Sequence, residues 1–143
     1  MWPILALLAR DYDWNQRVLT IDDFDRLCEL EDVAVEKRET GFPGLNTRRD
    51  GRPVITISPA VLPRARGWVL WHEMGHVLLH DPGCAFFYRN DRKLERQADL
   101  VAACALIPRP LLEKASLSEI REEYRYPIEL CELRQMFFRE MGI

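Results

Sequence analysis

The sequence has no C-x-x-C pair, no sustained basic block, no internal repeat and no Gly/Ser linker, and each absence narrows the field. Its four cysteines, Cys28, Cys84, Cys104 and Cys131, are widely spaced, which reads as reduced thiols in a cytoplasmic protein rather than a disulfide scaffold. The 20 basic and 23 acidic side chains are interspersed, leaving a net charge of -3 and no patch to neutralise phosphates or anionic lipid. Direct nucleic-acid binding and membrane association are therefore set aside. The stretch from Arg109 to Ile143, with six basic and seven acidic residues, forms no phosphate-binding stripe either. The apolar run Trp2 to Ala9 is too short to span a bilayer; no basic segment precedes it, and Arg10, Asp11 and Asp13 follow at once, so it is expected to dock onto the core. With no linker and 48% apolar residues, the 143 residues are expected to form one domain.

Histidine is also scarce, and its placement is informative. All three histidines fall in Trp71-His-Glu-Met-Gly-His-Val-Leu-Leu-His80, spaced four apart, with a glutamate after the first. The segment from about Arg64 to His80 reads as one helix, entered after Pro59 and Pro63 and stopped by Asp81-Pro82-Gly83. Before it, Thr20 can cap a helix running to about Leu30, with Asp22 and Asp23 in its first turn. Val33 to Val35 reads as a brief strand. A turn at Arg49-Asp50-Gly51 and the β-branched run Val54 to Ile57 predict a hairpin whose second strand is Arg52 to Ser58. A second helix is expected from about Asp91 to Leu106, and shorter helices beyond, broken near Pro127. Strands first and helices after make this an α+β chain: a small antiparallel sheet or hairpin packed on a helix, a second helix beside it, a core of about 41–108 and a helical tail of about 109–143.

On a helix, residues i and i+4 share a face, about 6 Å apart along the axis, so His72 and His76 can aim at one point. His-Glu-x-x-His on a helix suits zinc, with Glu73 beside the ion rather than on it. A catalytic zinc needs a third protein ligand. His80, about 12 Å from His72 along a continuous helix, is too far, and reads instead as a satisfied or surface histidine near the helix end, where an imidazolium suits the dipole. Cys84 is a weaker candidate, just past the Pro-Gly break. Glu95 and Asp99 are better placed. They share a helical face with Ala98, Ala102 and, less directly, Ala103, and small residues there, with Gly75 opposite, let the two helices approach closely. Glu95 then completes a His2Glu set, and Asp99 can accept the free ring N–H of one histidine and fix its tautomer. Arg96 and Gln97 are expected to face solvent. Tyr88, Arg89 and His80 lie near enough in sequence to be considered as oxyanion donors, but chain order assigns none of them.

These residues resemble a known family. His72-Glu-Met-Gly-His76-Val-Leu-Leu-His80, followed by Glu95-Arg-Gln-Ala-Asp99-x-x-Ala-Ala-x-x-Leu-Ile-Pro108, is similar to the ImmA/IrrE family of zinc metallopeptidases, a branch of the gluzincins. The likeness runs from about Gly41 to Pro108 and, more weakly, to Tyr126-Pro127. It implies a compact zincin-type core, zinc on His72, His76 and Glu95, Glu73 as catalytic glutamate, and a cytoplasmic protein that relieves repression by cleaving a helix-turn-helix repressor. The chain departs from the family in Leu100 and Ile107, where an aromatic residue and methionine are common, and no fused DNA-binding or sensor domain is expected.

Three readings follow. The first is a zinc endopeptidase with Glu73 as general base and a transcriptional repressor as its protein substrate, an extended segment of which adds to the Arg52 to Ser58 strand as an edge. The second is a non-catalytic, zinc-containing anti-repressor that controls its partner by contact. The third is an α+β module without metal. The oligomeric state is not legible in the sequence.

Overall fold

The structure, a computed structural model, describes residues 3–80 and 91–143. Its α+β architecture falls into two units, Thr20–Ala102 and Met1–Leu19 with Ala103–Ile143.

In the Thr20–Ala102 unit, helix α2 (Ile21–Leu30) follows α1 (Pro3–Tyr12) of the other unit and begins where its sequence says it should. The Thr20 hydroxyl accepts from the Asp23 backbone N–H while the Asp23 carboxylate accepts from the Thr20 backbone, a reciprocal cap contributing about 1 kcal/mol. Phe24, Leu27 and Cys28 form its buried face, and Phe24 meets Trp71 edge-on at 5.1 Å.

Three strands follow: β1 (Ala34–Lys37), β2 (Gly44–Arg49) and β3 (Arg52–Ile57). Asp50 and Gly51 both take positive φ, 52° and 78°, the backbone a two-residue hairpin turn requires, and so β2 and β3 pair antiparallel as expected. The spatial order, however, is β1-β3-β2, with β1 parallel to β3 in a register that sets Ala34 beside Val54. The Arg52 to Ser58 strand is therefore central, not an edge, and cannot receive an added strand. The reason lies in β1, whose distant pairing covers the second side of β3 and leaves Val54 to Ile57 buried without alternation. Pro53 lies one residue before that parallel pairing begins. Across the sheet, Glu36 of β1 accepts from Thr56 of β3 and from both terminal nitrogens of Arg49 in β2, tying the three strands together.

Helix α3 (Pro63–Leu79) starts with proline at its first turn and ends with His80 in an extended C-cap. The anticipated stop at Asp81-Pro82-Gly83 lies outside the described residues, as do Cys84, Tyr88 and Arg89. Helix α4 (Arg92–Leu106) belongs to this unit as far as Ala102. It lies against α3 at Gly75, where an added methyl would stand 3.0 Å from the Ala98 Cα and 3.2 Å from its carbonyl oxygen. Ala98 and Ala102 are fully buried. The close approach inferred from the small residues is thus present, and it permits the side chains of the two helices to converge.

In the other unit, Leu5 and Leu8 of α1 are buried, and helices α5 (Arg109–Lys114), α6 (Leu117–Tyr124) and α7 (Ile128–Met141) make up the helical C-terminal region. Its polar centre is Arg134, fully buried, whose guanidinium donates to the Ile107 carbonyl at 2.5 Å, the Ile143 carbonyl at 2.7 Å and Asn15 Oδ1 at 3.0 Å. No described helix is long and apolar enough to cross a membrane.

Candidate metal centre

One helical turn separates His72 from His76 on α3, and one separates Glu95 from Asp99 on α4; the Gly75–Ala98 contact brings these pairs face to face. His72 Nε2 lies 3.3 Å from Glu95 Oε2, and His76 Nε2 lies 2.9 Å from Glu95 Oε1. One ligand atom from each of His72, His76 and Glu95 can be chosen so that all lie within 4.8 Å of one another. A tetrahedral zinc with bonds of about 2.0 to 2.1 Å has ligand-to-ligand edges of about 3.3 to 3.4 Å, so the donor set suits such an ion in type, and its spacing is close enough that the three groups could hold one. Two imidazoles and one carboxylate leave a fourth position, and the group opens onto a cleft of about 320 Å³ lined by His72, Glu73, His76, Glu95 and Asp99 together with Pro43 to Asn46 of the β2 segment.

Electrostatics follow from this convergence. Burial opposes a charge on His72, but hydrogen bonds to Asp99 and Glu95 and the nearby charge of Glu73 outweigh it and raise its pKa well above the usual imidazole value. Burial likewise opposes a charged Glu95, and the two histidines overcome it and hold the carboxylate low. A bare site therefore stores positive and negative charge around the same point, and a divalent ion would take the place of the protons.

The outer nitrogens are also held. His72 Nδ1 lies 2.8 Å from Asp99 Oδ1, the contact expected of a carboxylate that fixes a ligand's tautomer. His76 Nδ1 lies 2.9 Å from His80 Nδ1, and His80 Nε2 lies 2.9 Å from Gln97 Oε1. This corrects one expectation and bears out another. Gln97 does not simply face solvent; it is half-buried against His80, while Arg96 is exposed. His80 is a satisfied histidine near the helix end, and burial, chiefly, lowers its pKa against the opposing hydrogen bond to Gln97. The four-residue spacing that pairs His72 with His76 pairs His76 with His80 equally, so the signal was in the sequence.

Asn46 and Gly44 were not foreseen. Buried Asn46 of β2 donates through Nδ2 to Glu73 Oε2 at 2.6 Å, anchoring one oxygen of a carboxylate that is itself 7% exposed. Gly44 lets β2 pass directly over the same side chain: a methyl at its α-carbon would sit 2.6 Å from Val69 Cγ1 and 2.9 Å from Glu73 Cγ. Both depend on a strand-to-helix approach between residues 25 or more apart in sequence, which no local pattern reports.

A search among curated proteins gave no match. Residues 29–137, which include the sheet, α3, α4 and most of the C-terminal helices, match the model of a peptidase family described as the IrrE N-terminal-like domain, and the chain belongs to that family.

Proposed function

We propose that this chain is a zinc-dependent endopeptidase that hydrolyses one specific protein substrate, a helix-turn-helix transcriptional repressor, in the cytoplasm. The observation that carries the reading is the convergence of His72, His76 and Glu95 beside an anchored Glu73 at the wall of a cleft. Membership of a peptidase family supports the reaction class, and the resemblance of the His72-to-Pro108 motifs supports the substrate. Three free, buried cysteines, Cys28, Cys104 and Cys131, accord with a reducing compartment.

Zinc, when bound, supplies Lewis acidity toward a peptide carbonyl and lowers the pKa of a water toward neutrality. The protein's own groups do the rest. The Glu73 carboxylate, steadied by Asn46, accepts a proton from the attacking water and returns it to the leaving amine nitrogen, with no covalent bond between enzyme and substrate. Asp99 accepts from His72 Nδ1, which would leave Nε2 to hold the metal. Because β3 is central, the substrate segment is expected instead in the cleft lined by Pro43 to Asn46 of the β2 segment.

Glu73→Gln tests the reading with the repressor encoded nearest the gene as substrate. Zinc content should stay at one ion per chain while the cleavage rate falls about 10² to 10⁴-fold, the usual contribution of a general base. Control of the repressor that survives intact in this variant would replace catalysis with control by contact alone.

A further inference from the structure

We infer that Gln97 and His80 are positioning residues for the metal centre: the Gln97 side-chain carbonyl fixes the ring tautomer of His80, and His80 fixes that of His76. The inference rests on the metal reading proposed above and asks how the second imidazole is kept competent to bind.

A neutral imidazole has one N–H and one bare nitrogen. If His76 is to offer Nε2 to an ion, its proton must sit on Nδ1, which faces His80 Nδ1 at 2.9 Å. That contact is a hydrogen bond only if His80 Nδ1 is bare, which places the His80 proton on Nε2. His80 Nε2 then donates to Gln97 Oε1 at 2.9 Å. Each of these protons then meets an acceptor, with the Gln97 side-chain carbonyl as the last.

Reversing the last member reverses all of it. With the Gln97 amide turned so that its NH2 group faced His80, the His80 proton would move to Nδ1, His76 Nδ1 would have to accept, and His76 Nε2 would carry the proton that excludes an ion. His72 has no such ambiguity, because its outer nitrogen faces Asp99, and a carboxylate only accepts. The two imidazoles are therefore oriented by different means: one by a fixed acceptor, the other through two groups that can each serve as donor or acceptor. Gln97, on α4 two residues from Glu95, thereby lets the helix that supplies the carboxylate ligand also prepare a histidine on α3.

Nitrogen-15 spectra of the histidine rings in the zinc-loaded protein should show His80 with a bare Nδ1 and a protonated Nε2, and His76 protonated at Nδ1. A His80 proton on Nδ1 overturns the inference. In zinc-chelator competition, Gln97→Met, uncharged and of similar length but without the acceptor, should bind at least about tenfold more weakly, as loss of an orienting partner commonly does, and Gln97→Glu should restore binding to within about threefold. The His72 resonances should be unchanged in both variants, and thermal melts of the metal-free forms should show that both fold. A Gln97→Met protein that binds zinc as tightly as the original sinks the relay alone; an original protein that binds no zinc removes the metal reading and the relay with it.

Discussion

Two clusters of deeply buried polar groups, one around Arg134 and one around His76, lie in different units and are built to opposite ends. Around Arg134 every contact is closed: two backbone carbonyls and Asn15 Oδ1 surround a guanidinium with no exposed surface. Around His76, 1% exposed, the groups instead point at a common location beside a cleft. Burial of a polar side chain is common to both, so burial alone does not mark a functional site. The distinguishing feature is convergence: the donors at Arg134 radiate outward to separate acceptors, whereas His72, His76 and Glu95 bring one ligand atom each within 4.8 Å of one another, a group that could hold an ion.

The contrast can be broken by exchanging the consequences of damage. The largest effect is expected for Glu95→Ala, which should weaken zinc binding by well over about 100-fold, beyond the loss typical of an outer orienting partner, as read by chelator competition. Arg134→Met should do the reverse. It strands the Ile107 carbonyl and its companions, and should lower the free energy of unfolding in urea by about 3 kcal/mol, yet leave zinc affinity within about twofold, because all its partners lie in its own unit. If Arg134→Met instead abolished zinc binding, the two clusters would not be separable as structural and functional.

A smaller and finer effect concerns pH. In the metal-free protein the raised pKa of His72 means that its favourable contribution to folding is complete below the ordinary imidazole value of 6.5 and is lost as pH climbs toward about 10. Glu95, held low, contributes fully above its ordinary 4.5 and loses that contribution as the solution is acidified below it. The pair therefore stabilises the metal-free fold most between those two values. Zinc must displace the His72 proton, so affinity should rise steadily from pH 6 to pH 9, and calorimetry in buffers of different ionisation enthalpy should detect proton release on binding. No such release would mean that His72 is already neutral and that the charge pairing is not as described.

Much of this was legible in the sequence because it is encoded locally. The Thr20 cap, the Asp50-Gly51 turn, the proline entry to α3 and the i,i+4 spacing of His72 and His76 are all written within a few neighbouring residues. The meeting of Glu95 and Asp99 with the histidines was legible for a different reason: Gly75 and the run of alanines on α4 announce a close helix pair, and a close pair leaves few places for two carboxylates on the inner face. The position of β3 was not legible, since Val54 to Ile57 pairs on one side with a strand some twenty residues upstream. Asn46 and Gly44 escaped for the same cause, and Gln97 was misread because its i+4 and i−4 neighbours say nothing of a histidine on another helix.

The central claim is that two nitrogens and one carboxylate oxygen hold a single zinc ion, and zinc K-edge absorption on the purified protein tests it most directly. The account predicts one zinc per chain in a shell of nitrogen and oxygen at about 2.0 to 2.1 Å, with two imidazoles, and loss of the bound metal in Glu95→Ala. A sulfur at about 2.3 Å, or a Glu95→Ala protein that keeps its zinc in an unaltered shell, would contradict it.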